Sequence, residues 1–309
     1  MMMTDGMNRA WRSSVLLLAL LLALPAQAAL TVVASTTTLE ALVREIGGEA
    51  VRVSALAPPD RDAHTLQLRP SMLQALRRAD LVVAVGAELE VGWLPLAISS
   101  SANPKLLPGR AGYFEVAAVV PLRDVEGRAA ADRARGDVHP MGNPHVTLDP
   151  LRLADAGLKL AERMAMLDAA HAARYRERAA AFRAEVLRRL PAWQQQVSDL
   201  GGATGGAIAY HKDVDYLLER LGLPVLGYVE PLPGIPPSAQ HLAGLLLRQK
   251  GRQGVIVHLP WQHNAGIARL AQSLGWPVVM RPVDPAPGGN GESLLAITEA
   301  WVQALAAAR

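Results

Sequence analysis

The chain has 309 residues, half of them hydrophobic and a fifth charged, with a net charge of +3 and no cysteine. So small and scattered a positive balance gives no ground for a nucleic-acid or membrane-surface partner. The absence of thiols excludes disulfides and thiolate metal sites, so stability must come from a packed core and any ion must be held by imidazoles and carboxylates.

The first stretch reads as a targeting signal. Arg9 and Arg12 precede the apolar run Val15 to Leu24, and "AQAA" follows with Ala26 and Ala28 at small-residue cleavage positions. A run of this length is too short to span a bilayer, and residues 1–28 are expected to be removed on export. That loses two arginines and Asp5, so the net charge falls from +3 to +2. About 280 mature residues can bury two cores of ordinary domain size.

In chain order, "LTVVAS" (30–35) predicts a strand, and "TLEALVREIGG" a helix closed by Gly47 and Gly48. "VRVSALAP" is a second strand, "PSMLQALRRA" a helix and "DLVVAVGA" a buried strand. This βαβαβ order implies a parallel sheet flanked by helices. The polar, Gly-, Ala- and Arg-rich segment 126–142 reads as a loop. In "GNPHVTLDP" (142–150), Asp149 is a helix N-cap and Pro150 a first helical residue, which predicts a helix over 150–167. Pro144 stiffens the chain beside His145, a mount that a ligand needs and an ordinary loop histidine does not.

Beyond Asp168, Tyr175, Ala179, Phe182, Val186, Leu190, Trp193 and Val197 recur at steps of three and four. They form one apolar stripe on a helix of nearly thirty residues, about 40 Å long at ~1.5 Å each. Pro191 is expected to kink this helix or end it early. After "GGATGG" (201–206) the alternation restarts with "AIAYH", "VDYLLERLGL", "PVLGYV", "SAQHLAGLLLRQKG", "QGVIVHL", "AGIARLAQSLG", "WPVVMRPVD" and a closing helix from Gly291. The fold class is therefore α/β. Two lobes (29–168 and 200–309), each with a mainly parallel sheet, are joined by one long helix (169–199).

His64 in "DAHTLQLRP", His145 in "GNPHVTLDP", His211 in "AYHKDVDYL" and Asp284 in "RPVDPAPGG" stand at strand ends or loop starts. Open α/β sheets bind ligands beyond the carboxyl ends of their strands. Three imidazoles and a carboxylate suit tetrahedral zinc. Each position alone is equally compatible with a loop residue. His139 reads as a loop, capture or supporting residue, His171 as solvated, His241 as boundary, and His258 as a hydrogen-bonded, semi-buried histidine. His263 has little to recommend it, and Glu230 reads first as a helix N-terminal residue and second as support for a ligand.

Taken together, "DAHTLQLRPSMLQALRRADLVV", "NPHVTLDP", "YHKDVDYLLERLGL" and "VDPAPGG" resemble motifs of the zinc/manganese solute-binding proteins of bacterial ABC importers, over essentially the whole mature chain. The resemblance implies two lobes sharing a backbone helix that limits hinge closure, with His64, His145, His211 and Asp284 as ligands. It implies a transported metal ion, a partner permease in the inner membrane, and no reaction. Members that favour manganese generally carry Glu at the third position, so His211 points to zinc, in line with imidazole's own preference. The chain departs from the family pattern at Thr147, Val214 and the turn after Asp284, and keeps only His139 of the His-rich loop. The expected protein is a monomeric, periplasmic zinc carrier without stable membrane insertion. It is free of a lipid anchor, since no lipobox cysteine is present. Two other classes stay open from the residues: a secreted zinc-dependent hydrolase with an open metal site, and a periplasmic zinc chaperone or adhesin without a transporter. Against the hydrolase, the chain has no H-E-x-x-H helix, nucleophile elbow or phosphate loop.

Overall fold

In a computed structural model, residues 29–125, 139–198, 205–232, 235–262 and 265–308 are described. The expected signal segment lies outside them, as do most of the 126–142 loop, His263 and the end of the joining segment at Asp199. No helix among the described residues is long and apolar enough to cross a membrane.

The first sheet contains β1 (Leu30–Ala34), β2 (Val51–Ala55), β3 (Leu81–Ala84) and β4 (Tyr113–Glu115), all parallel, in the order β2-β1-β3-β4. Its helices are α1 (Thr37–Gly47), α2 (Pro70–Arg78) and α3 (Leu94–Ser100). The second sheet repeats the plan with β5 (Ala207–Ala209), β6 (Val225–Tyr228), β7 (Val255–His258) and β8 (Val278–Met280), in the order β6-β5-β7-β8. Its helices are α6 (Asp215–Leu221), α7 (Ala239–Arg248), α8 (Ala265–Leu274) and α9 (Gly291–Ala307). Between the sheets run α4 (Pro150–Leu167) and α5 (Ala172–Val197). The α/β class and the joining helix are as the sequence implies; α3 and β4, seven and three residues long, are additions.

The stripe read from the sequence is the buried face of α5. Its buried residues are Tyr175, Ala179, Phe182, Val186, Leu190, Trp193 and Val197. Pro191 does not end the helix, which runs six residues further. The proline and Leu187, whose carbonyl loses its partner, both lie on the exposed side, where water can replace the missing bond. Burial of Trp193 and Val197, at roughly 2 kcal/mol for each large apolar side chain, holds the last turns down.

The core is not divided into two. One continuous apolar cluster takes in the inner faces of both sheets together with α1, α4, α5, α6 and α9. Each sheet has a smaller cluster on its outer face, around Leu76 and Trp93 in the first and Leu245 and Leu270 in the second. A helix inserted between two sheets must bury apolar residues toward both, which fuses the two cores that the length alone suggests.

Polar contacts between the lobes sit beside this shared core. Asp149 caps α4 by accepting from the backbone N–H groups of Leu151 and Arg152. Its carboxylate, with no side-chain exposure, also accepts from Arg152 and, across the lobes, from Arg220 of α6 at 2.9–3.3 Å. Removing one cation from a buried carboxylate leaves it undercompensated. Arg220→Ala is therefore expected to destabilise the fold by about 1–3 kcal/mol, read as a lower urea midpoint at unchanged m value. An unchanged midpoint would show that this pair does not hold the lobes.

Candidate metal centre

Each histidine reaches the cleft from a different kind of local structure. His64 sits in the short 3-10 turn Ala63–Thr65, where Asp62 caps the turn by accepting the His64 backbone N–H. Trp93 donates its indole N–H to the Ala63 carbonyl and anchors that turn on the first lobe. His145 follows Pro144 in a tight turn whose Gly142 has φ +115°, and a side chain there would meet the Arg123 carbonyl at 2.8 Å. The backbone N–H of His145 donates to the side chain of Asn143. His211 lies two residues past β5, beside the point where the strand order of the second sheet reverses.

These three imidazoles come together. Their ligand atoms all lie within 4.8 Å of one another, and they are the one such group among the described residues. The Nε2 atoms of His145 and His211 are 3.1 Å apart, and those of His64 and His139 are 3.2 Å apart. Two nitrogens bound to one tetrahedral zinc stand about 3.3 Å apart, given Zn–N of ~2.0–2.1 Å. Each of the three side chains is about a tenth exposed: 12% for His64, 11% for His145 and 9% for His211.

The other ring nitrogen of each histidine faces a carboxylate. His64 Nδ1–H donates to Asp62 at 2.7 Å and His211 Nδ1–H to Glu230 at 3.0 Å. His145 Nδ1 stands 3.5 Å from Asp213. This pairing puts the proton on Nδ1 and turns the Nε2 lone pair toward the centre, an arrangement that orients a metal ligand and raises its basicity. Lone pairs converging at about 3 Å repel unless a cation or a shared proton lies between them, so the site is chemically disposed toward a cation.

The charges agree with this geometry. Burial raises the Asp62 carboxyl, but its bonds and charge contact with His64 outweigh that and leave it below its ordinary range. Burial pulls His211 toward neutrality, yet the Asp213 charge and the Glu230 carboxylate overcome it and raise its pKa. Burial dominates at Asp213, whose carboxyl is pushed up despite His211 and the Gln262 amide.

Asp284 lies four residues past β8 on the wall of a small cavity of about 40 Å³ that His64, His145 and Asp213 also line. It is outside the three-histidine group. Its carboxylate accepts from the Thr38 hydroxyl at 2.5 Å and the Thr38 backbone N–H at 3.2 Å, in the first turn of α1. Burial pushes this carboxyl above its ordinary range, against those two bonds. His139 stands beside His64, whereas His171 pairs with Asp168, His241 with the Tyr228 carbonyl, and the buried His258 with the Leu259 carbonyl. Sequence reading singled out neither Asp62 nor Asp213 as a partner for an imidazole. For Asp62 the signal was its place two residues before His64; for Asp213 only its place two residues after His211.

Two α/β lobes on a shared helix, with an imidazole cluster set between them, define a metal-binding solute-binding protein. The sequence profile of the ZnuA family, zinc-uptake complex component A, periplasmic, matches residues 32–308, and the chain belongs to that family. It is 25% identical to the high-affinity zinc uptake system protein ZnuA of Yersinia pestis, over 91% of each chain. Among solved structures, a crystal structure of ZnuA superposes with a TM-score of 0.72 at 24% identity, over 91% of this chain and 99% of the other. The solute-binding protein FpvC of Pseudomonas aeruginosa in complex with Mn²⁺ superposes with a TM-score of 0.74 at 22% identity, over 89% and 98%. These two likenesses are likenesses of fold.

Proposed function

We propose that the protein is a periplasmic carrier that binds one zinc ion with high affinity between its lobes and delivers it to an ABC transporter permease of the inner membrane. The observation that carries this reading is the convergence of three Nε2 atoms whose Nδ1 partners are carboxylates. His64, His145 and His211 are the nitrogen ligands in this proposal, and Asp284 is the carboxylate that completes the set from the wall of the same cavity. The lobes are 29–168 and 200–309, joined by 169–199, and the carrier acts as a monomer after its signal segment is removed. Three imidazoles favour zinc over manganese, whose preference is for oxygen ligands. We assign no reaction to the site. Glu230, the carboxylate a hydrolase could have used as general base, accepts the Nδ1 proton of His211.

Titration of the metal-stripped mature protein against a chromophoric chelator tests the proposal. The expected result is one zinc per chain, with manganese at least about a hundredfold weaker, or ~2.7 kcal/mol. Comparable affinity for manganese would count against zinc as the cargo. In the same assay Asp284→Ala is expected to lose about 10–100-fold, less than a lost imidazole, because water can replace a carboxylate oxygen. Wild-type affinity in that variant would confine Asp284 to bonding α1 through Thr38.

A further inference from the structure

We propose that Asp213 is the positioning residue that transfers His145 from the first lobe to the second. It holds the imidazole's Nδ1 across the cleft, so that His145 and His211 act as one rigid pair which the ion joins to His64. This rests on the reading of His145 as a ligand.

Asp213 is buried in the 3-10 turn Lys212–Val214, directly after His211. One of its oxygens accepts the Gln262 amide at 2.5 Å, and the Gln262 carbonyl in turn accepts the Leu259 backbone N–H at 2.9 Å, just past β7. The carboxylate is thus fixed entirely by elements of the second lobe. Its other oxygen faces His145 Nδ1.

The chain around His145 is attached to the same lobe. Asn143 donates its side-chain N–H to the Lys212 carbonyl at 3.2 Å. The Tyr216 hydroxyl donates to the Asn143 carbonyl at 2.7 Å and accepts the Arg123 backbone N–H at 2.8 Å. His145 belongs to the first lobe by sequence; its backbone N–H bonds to Asn143, which is held by Arg123 of the first lobe and by Lys212 and Tyr216 of the second, and its Nδ1 faces the second lobe. His64 has the opposite attachment, through Asp62 in its own turn and Trp93 of the first lobe. Any separation of the lobes therefore parts His64 from a His145–His211 pair that stays together. A separation of 3.5 Å is long for a hydrogen bond. Metal binding at Nε2 makes the Nδ1 proton more acidic and draws it toward the carboxylate, which shortens this contact in the loaded protein.

The experiment compares Asp213→Ala, the double variant Asp213→Asn/Gln262→Glu and Gln262→Ala with His145→Ala. It measures zinc affinity by chelator competition and histidine ring protonation by long-range ¹⁵N–¹H spectra of the zinc-loaded chains. Asp213→Ala is expected to weaken zinc about 10–100-fold and to remove the protected Nδ1–H signal of His145. Asp213→Asn combined with Gln262→Glu, in which the amide oxygen accepts that proton while the amide N–H donates to the new carboxylate, recovers the signal and most of the affinity. Gln262→Ala, which frees the carboxylate without deleting it, falls between wild type and Asp213→Ala. Should Asp213→Ala fail to fold, the isosteric Asp213→Asn/Gln262→Glu pair and Gln262→Ala decide the matter: an unaltered His145 signal and affinity within twofold in Gln262→Ala, or a lost His145 signal in the isosteric pair, overturns the proposal. Wild-type affinity and an unaltered His145 signal in Asp213→Ala overturn it too, and leave the ligand reading intact as long as His145→Ala abolishes tight binding. Wild-type affinity in His145→Ala would instead remove the ligand reading itself.

Discussion

His145→Ala is expected to lower zinc affinity by at least about 10³-fold, or ~4 kcal/mol, in chelator competition. The loss is large because the variant removes one of three imidazoles whose ligand atoms converge. Among the described residues only His64, His145 and His211 have ligand atoms within 4.8 Å of one another. His139 is held beside His64 and is not a member of that group. The variant also strands Asp213, a buried carboxylate that then faces a cavity instead of an imidazole. Rescue by added imidazole would confirm that the missing ring, and not a distorted loop, is responsible. Wild-type binding would place the ion elsewhere.

Acid is the second strong perturbation. Zinc binds neutral imidazole, so affinity should fall by about 10⁴-fold between pH 7.5 and 5 as protons compete for three imidazoles, a group whose unperturbed pKa is ~6.5. The raised pKa of His211 moves the onset of this loss to higher pH. The sign for the metal-free fold is opposite. A histidine whose folded pKa exceeds its unfolded value contributes stability that is complete below the unfolded value and disappears as pH rises through the folded one. The metal-free protein therefore gains from acid at His211 while the loaded protein loses. The rise in melting temperature on adding zinc should shrink steadily as pH falls, since a ligand stabilises only to the extent that it binds. A zinc-induced shift that stays constant from pH 7.5 to 5 would remove the histidines from the centre of the mechanism.

Much of the architecture could be read from the residues because it rests on local signals. The cap at Asp149, the proline at 150 and the three-four stripe of α5 each act within a few turns, and both helices formed where read, although Pro191 did not end α5. Strands β3 and β5 are continuous apolar runs, and β1 and β7 are so apart from Thr31 and His258, as parallel strands covered on both faces tend to be. The short elements α3 and β4 carry too few residues for a period to show. At the site, the histidines were legible from their places at loop starts. Their carboxylate partners were less so, because Asp213 meets His145 only through the tertiary fold, 68 residues away in the chain. The same limit applies to Asp284, whose strand-end position predicted a carboxylate facing the cleft but not the pair of bonds to Thr38.

Those bonds connect residues 246 positions apart, as does the donation of the Gly291 backbone N–H to Glu45 at 3.0 Å. They tie α1 to the turn after β8 and to the first residue of α9. A chain delivered amino end first cannot form them until nearly all of it has emerged. Until then the face of α1 that belongs to the shared apolar cluster waits for α9, which packs against it. Contacts of such high sequence separation close late and slowly. The wall that Asp284 gives to the cavity is thus set only when nearly the whole chain is present, whereas the three imidazoles all lie in its first 211 residues.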